Sequence, residues 1–75
     1  MIVKVLQHKN GKYLKDYELE AYPNYDFLSN KECVGLMGFW LTDEPREAMH
    51  FYTSISAIVA RNWVGNKFNY KNVEI

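Results

Sequence analysis

The sequence predicts an α+β domain in which a small antiparallel sheet carries two helices on one face, in the order β-β-β-α-α-β. Three observations favour this class. An Asn10-Gly11 pair separates two short runs of strand character, two helix-start patterns follow in the middle of the chain, and the last eight residues alternate weakly in polarity. At 75 residues and 8.9 kDa we expect one small domain over residues 1–75, because so short a chain buries only about 60% of its unfolded surface.

The first two strands are predicted as a hairpin. The run from Ile2 to Gln7 is short and β-branched, and the run from Tyr13 to Leu19 alternates in side-chain character. Between them, Asn10-Gly11 is the strongest local hairpin signal, since a type I′ turn requires positive φ at both central positions and these two residues tolerate it best. We therefore expect a two-residue turn at Asn10-Gly11.

A long loop and a third strand come next. The stretch from Glu20 to Val34 includes Pro23 and Asn24 and breaks any period, so it is interpreted as a loop that packs its own aromatic rings or serves a function. The apolar run from Leu36 to Leu41 is too short for a helix and typical of a buried strand.

The first helix is predicted from about Glu44 to Phe51. The sequence Thr42-Asp43-Glu44-Pro45 precedes it. Thr and Asp can accept free amide hydrogens, acids oppose the positive end of a helix, and Pro fits a first turn.

The second helix is the clearest element. Thr53 or Ser54 can cap its start, and Gly65 stands where a closing residue with positive φ is favoured. Apolar residues recur at helical spacing and are expected to face the sheet: Ile55, Ile58, Val59 and Trp63. We then expect Phe68 to Ile75 to return as a last strand beside the first.

Several short motifs in this frame resemble small uncharacterised proteins of Gram-positive phages and prophages. They are Gly11-Lys12-Tyr13-Leu14, Phe39-Trp40-Leu41-Thr42-Asp43-Glu44, Glu47-Ala48, Phe51, Ala57, Ala60 and Val73-Glu74-Ile75. The resemblance implies an accessory protein of a mobile element, and such proteins mostly bind a host or phage protein. It implies no catalytic residue.

Composition narrows the choice of partner and compartment. Nine basic and nine acidic residues give a formal charge of zero, without the basic excess that nucleic acids or anionic membranes attract, so nucleic acid is an unlikely partner and no membrane is expected. The single Cys33 cannot form an internal disulfide, and the chain shows no signal-peptide pattern, so a cytoplasmic location is expected.

No motif in the sequence indicates an enzyme, a cofactor or a metal. The soft ligands His8, His50 and Cys33 lack the spacing of a structural zinc site. His50 and Ser54 lie four residues apart with Asp43 nearby, but Ser54 is better interpreted as a helix cap, and no separate oxyanion-hole motif is present. We therefore expect a non-enzymatic protein.

An acidic aromatic stretch is the predicted protein-binding site. Residues 1–15 carry four lysines and no acid, whereas residues 16–47 carry eight acids and two bases. Rings supply rigid contact area and acids steer toward a basic partner. The candidate residues are Asp16, Tyr17, Glu18, Glu20, Tyr22, Tyr25, Asp26 and Phe27. The same rings could instead form a small hydrophobic core with a solvated rim.

The predicted function is stoichiometric binding of a host or phage protein with a basic surface, as by an inhibitor of a host enzyme or defence complex of the anti-CRISPR type. Two alternatives stay open. Tyr13, Lys15 and Tyr17 are predicted to share one face of the second strand, where they could stack the bases of single-stranded nucleic acid and contact its phosphate. A structural homo-oligomer is the other alternative, because a core this small gains from burial against a partner.

Overall fold

A computed structural model describes the backbone of residues 1–23 and 32–75 and the side chains of residues 1–20 and 35–75. Four strands form one antiparallel sheet in the order β3-β2-β1-β4. Their bounds are β1 Ile2–His8, β2 Tyr13–Pro23, β3 Glu32–Thr42 and β4 Phe68–Glu74, with a 3-10 turn at Pro45–Glu47 and the helix α1 at Ser54–Val64. The α+β class and the pairing of the last strand with the first are confirmed.

The β1–β2 hairpin is confirmed, but its turn differs from the predicted one. The amide of Gly11 donates to the carbonyl of His8 at 2.9 Å, so Lys9 and Asn10 are the central turn residues. Gly11 follows with φ 92°, and the Asn10 side chain accepts from the amide of Lys12 at 2.9 Å. A three-residue loop that ends in a positive-φ residue is the next most common hairpin connection after the two-residue turns.

The predicted loop over residues 20–34 is partly wrong. β2 continues to Pro23 and β3 begins at Glu32, and the two strands pair from Tyr13 with Thr42 through to Pro23 with Glu32. Cross-strand hydrogen bonds outweigh the local turn signals of this stretch, because paired backbone groups satisfy their donors and acceptors. The remainder of the predicted loop lies outside the described residues.

The predicted helix over residues 44–51 is wrong beyond its first turn. Thr42 accepts from the amide of Glu44 at 3.2 Å, as a start signal should. The amides of Met49 and Phe51 then donate to the carbonyls of Leu14 and Lys4, at 2.9 and 2.8 Å. These bonds to the sheet replace the bonds that a helix would make.

The extended segment of residues 49–51 joins two halves of the sheet. β1 and β2 share the Cα pair Gln7 and Tyr13 beside their turn, and farther along, Phe51 pairs with Lys4 of β1 while Met49 bonds to Leu14 of β2. The sheet therefore consists of a β1–β4 pair and a β2–β3 pair, with residues 49–51 between them.

The core lies on the concave side of this bent sheet. Its cluster of buried residues is Leu6, Leu14, Phe51, Ala57, Ala60, Val64 and Phe68. The ring of Phe39 on β3 lies 5.4 Å from that of Phe68 on β4 and 6.5 Å from that of His8, measured between centroids. The sheet thus curls until its outer strands touch through aromatic rings.

Helix α1 presents a different face from the predicted one. Ala57, Ala60 and Val64 are buried against the sheet, whereas Ile55 is 75% and Ile58 46% exposed. Val59 is exposed and Trp63 is half-buried, so the predicted core stripe is wrong. Small residues on the buried face let the helix backbone approach the sheet closely, and hydrophobicity alone does not choose between two apolar stripes.

Candidate functional site

The β2–β3 pair forms a long two-stranded ribbon, defined here as Tyr13–Pro23 paired with Glu32–Thr42. Two irregularities interrupt its register, one at Lys15 between the pairs of Leu14 and Asp16, and one at Met37 between the pairs of Glu18 and Leu19. A bulge leaves one residue unpaired and changes which face its neighbours occupy. The bulges therefore decide which side chains reach the surface.

The bulge at Lys15 places Tyr13 and Tyr17, which were considered for stacking nucleic-acid bases, on opposite faces of the ribbon. Leu14 belongs to the core and Tyr17 packs against it, so both point to the concave side although they are three residues apart. Tyr13 precedes Leu14 and lies on the opposite, outer face, where the ammonium of Lys71 approaches its ring to 5.7 Å. The shared face predicted for Tyr13, Lys15 and Tyr17 is wrong.

The inner face of the ribbon extends the apolar core beyond the helix. Leu19 pairs with Leu36, and Tyr17 pairs with Phe39. Leu19, Leu36 and Phe39 are each more than a third exposed. Met37, at the second bulge, is 62% exposed. This apolar surface corrects the prediction that residues 36–41 form a buried strand.

The outer face of the ribbon combines acids with one large ring. Asp16 pairs directly with Trp40, and Glu18 pairs with Gly38. Trp40 is 49% exposed, and Asp16, Glu18 and Glu20 are exposed as well. A shallow depression here is lined by Lys15, Asp16, Glu18, Trp40 and Leu41.

The predicted site residues fall into four groups. Asp16, Glu18 and Glu20 lie exposed along β2, as a steering role requires, but Tyr17 packs against the core. The backbone of Tyr22 pairs with Cys33 in the ribbon. Tyr25, Asp26 and Phe27 lie outside the described residues.

β3 is an edge strand of the sheet. From Cys33 to Thr42 its sequence contains no charged residue and no proline, the two devices that most often protect an edge from pairing with another chain. Its bulge at Met37 gives partial protection. The edge is therefore able to accept further backbone hydrogen bonds.

A second apolar surface lies on the outer side of α1. It consists of Tyr52, Ile55, Ile58 and Val59, all exposed. A small cleft beside it is lined by Lys4, Ser54, Ala57, Ile58 and Tyr70. Three of its four residues are ones that the sequence placed in the core: Ile55, Ile58 and Val59.

Of the residues considered for catalysis, Ser54 is the first residue of α1 and Asp43 is exposed. The Thr53 hydroxyl, not Ser54, accepts from the amide of Ser56 at 3.2 Å and caps α1. His50 Nε2 lies 3.1 Å from the carbonyl oxygen of Pro45 and holds the 3-10 turn. Within residues 1–20 and 35–75, three or more potential metal-ligating side chains do not come together. No helix in the described part of the chain combines the length and apolar character of a membrane span.

Neither a family model, nor a curated protein, nor a solved structure matches this chain. The ribbon surface therefore stands on its own geometry. Its exposed apolar residues were not predicted as binding residues: Leu19, Leu36, Met37, Phe39 and Trp40. The available signal was Gly38, next to Met37, since glycine inside a strand often marks a bulge or a close backbone approach.

Proposed function

We propose that the chain is a non-enzymatic protein-binding module that binds a partner protein through the β2–β3 ribbon. The observation that carries the proposal is the exposure of Leu19, Leu36, Met37, Phe39 and Trp40 on an edge ribbon. Exposed apolar surface that is rimmed by polar groups marks interaction sites in small soluble proteins.

The solvent-accessible surface area of the protein supports this proposal. The accessible surface is 5545 Å², whereas a compact monomer of this mass exposes about 4,800 Å². The chain therefore exposes more surface than a compact molecule of its mass, as expected where a two-stranded ribbon extends beyond the core. A partner that binds along the ribbon would cover part of this additional surface.

The acids of β2 favour a partner with a basic surface. Asp16, Glu18 and Glu20 occupy alternate positions and share the outer face. Exposed charges of one sign speed the encounter with a complementary surface more than they add to final affinity. The resemblance to phage and prophage proteins extends the proposal to inhibition or modulation of a host protein or defence complex, of the anti-CRISPR type.

A homo-oligomer is the second candidate, and the outer face of α1 favours it. Ile55, Ile58 and Val59 form an apolar helical stripe that a two-fold axis could bury against a second copy. This candidate uses a different surface from the ribbon, so the two are separable by mutation.

The proposal is tested by immobilising the protein, capturing its partner from host lysate and measuring the affinity of the purified pair. We expect Met37→Ser to weaken binding by about tenfold or more, as for a central apolar contact. Ile55→Ser is the matched control, because Ile55 is even more exposed and lies on α1. Equal affinities for both variants and the parent would contradict an interface formed by the apolar side chains of the ribbon.

Light scattering coupled to size exclusion separates the two candidates. A parent that elutes as a dimer and becomes a monomer on Ile55→Ser supports the homo-oligomer. A parent that is monomeric at all concentrations leaves the ribbon as the supported surface.

A further inference from the structure

We propose that the depression on the outer face of the ribbon receives an arginine side chain of the partner protein. The guanidinium would lie over the ring of Trp40 and pair with the carboxylates of Asp16 and Glu18. This inference rests on the proposed function, and it names the group that the acidic face recognises.

One position on the outer face beside the depression has no side chain. On the outer face Trp40 pairs with Asp16, and the next outer position of β3 is Gly38, which pairs with Glu18. A Cβ atom built on Gly38 would meet no atom within 4 Å. Gly38 thus leaves open space on the outer face beside Trp40 and Glu18. The depression that these two residues line together with Lys15, Asp16 and Leu41 has an open volume of about 320 Å³.

The lining groups match a guanidinium in shape and charge. A half-exposed indole offers a flat face over which a cation is attracted by the ring quadrupole. Asp16 Oδ1 accepts from the amide of Tyr17 at 2.8 Å, which orients the carboxylate beside Trp40. Among residues with described side chains, no ion pair joins Asp16 or Glu18 to a cation.

Arginine fits better than lysine. Its planar guanidinium can stack on a ring and at the same time donate in the ring plane to carboxylates, whereas an ammonium is a compact, strongly hydrated charge. Lys15 also lines the depression and opposes a cationic guest. The three ionisable lining groups, Lys15, Asp16 and Glu18, still leave one net negative charge.

The test uses N-acetyl-arginine amide as the probe and follows the Trp40 indole N–H by NMR. We expect saturable shifts at Trp40, Asp16 and Glu18 with millimolar affinity. N-acetyl-lysine amide should bind at least about threefold more weakly, because it cannot stack and donate together.

Variants locate the site. Gly38→Val should abolish the saturable shift by placing a branched side chain on the outer face between Trp40 and Glu18, and the open space above Gly38 predicts that the variant folds. Glu18→Gln should weaken binding about two- to fivefold and Lys15→Gln should strengthen it about twofold, as for exposed ion pairs. Glu74→Gln, a remote acid on β4, is the control and should change nothing. Should Gly38→Val fail to fold by circular dichroism, Trp40→Leu replaces it.

Two results would overturn the inference: linear, unsaturable shifts with the arginine probe, or equal binding of both probes that survives Trp40→Leu. Neither result touches the proposed function, which depends on the loss of partner affinity in Met37→Ser. If Met37→Ser has no effect while the arginine probe saturates at Trp40, the proposed apolar interface fails and the arginine site stands.

Discussion

Gly11 and Gly65 hold backbone conformations that residues with a side chain adopt only under strain, with φ of 92° and 104°. Gly11 closes the β1–β2 turn, and Gly65 ends α1 with its amide donating to the carbonyl of Arg61 at 2.8 Å. At both positions the φ angle, and not a lack of space, restricts replacement of the glycine, since a Cβ atom would meet nothing within 4 Å.

Gly11→Val should lower the free energy of unfolding by about 1 to 3 kcal/mol, because a β-branched residue is forced to positive φ. Gly11→Asn is the control and should lose less, since Asn tolerates this region. Urea melts of both variants measure the difference. Equal melts would mean that the turn rearranges at no cost.

Arg61 ties α1 to β4 by two contacts. Its Nε donates to the carbonyl of Phe68 at 2.8 Å, and its guanidinium lies 5.5 Å from the centre of the Tyr70 ring. Arg61→Lys should cost about 1 kcal/mol, because lysine cannot donate in this geometry and stack at once. Arg46→Lys is the control, because Arg46 is exposed, and it should leave the midpoint of chemical denaturation unchanged. An equal loss of stability in both variants would contradict the role assigned to Arg61.

Among the elements, α1 shows how burial depends on shape. Two apolar stripes run along it, and the one that includes Ala57 and Ala60 is buried while the one that includes Ile58 is not. Close approach to the sheet favours the smaller residues, so the larger aliphatic side chains remain outside.

Ala60→Leu should therefore destabilise the protein by about 1 to 3 kcal/mol through overpacking. Ile58→Ala should cost less than about 1 kcal/mol, since Ile58 is 46% exposed and exposed changes are usually small. Thermal or urea unfolding of both variants measures which substitution lowers the stability more. The reverse order, with Ile58→Ala the more damaging, would return Ile58 to the core.

Local signals predicted the elements that are closed by local contacts. The cap at Thr53 and the end of α1 at Gly65 depend on neighbouring residues and appear as expected, and the hairpin at Gly11 forms with a three-residue turn in place of the predicted two-residue one. The segment from Met49 to Phe51 depends on carbonyls of Lys4 and Leu14, more than 30 residues away in the chain. No local pattern could reveal those bonds, so the expected helix fails there.

The candidate site was predictable in its charges but not in its apolar part. The sequence predicted Asp16 and Glu18 on the second strand and Glu20 at the start of the loop as steering charges, and all three lie exposed. The exposure of Met37 and Trp40 follows from the edge position of β3 and its bulge, which depend on the order of strands in the sheet. An apolar run alone indicates burial.

At the scale of the whole molecule, the ribbon makes the protein elongated. The Cα radius of gyration is 14.7 Å, whereas a compact chain of this length has about 11 Å. Small-angle scattering of a monomeric sample should give a radius well above the compact value. A radius near 11 Å would mean that the ribbon folds back in solution.

The separation of acids from apolar contacts predicts two kinetic effects on partner binding. Changing Asp16, Glu18 and Glu20 together to Asn and Gln should slow association at low salt, since exposed charges act on the encounter. Met37→Ser should instead speed dissociation. Surface plasmon resonance at two salt concentrations measures both rates. Unchanged rates in the acid variant would remove electrostatic steering from the proposal.

The pairing of β1 with β4 also sets the order in which the chain can fold during synthesis. The β2–β3 ribbon joins strands that are near in sequence, whereas Ile2 pairs with Glu74 and His8 with Phe68. Strands that are distant in sequence pair slowly, because the entropy cost of closing the intervening loop comes before the contacts form. While β4 is still being synthesised, β1 has no partner on the side where β4 pairs in the folded protein. The ring of Phe39 likewise has no contact with Phe68. The nascent protein therefore displays its ribbon before its core is closed, and a chaperone or an early partner would meet that surface first.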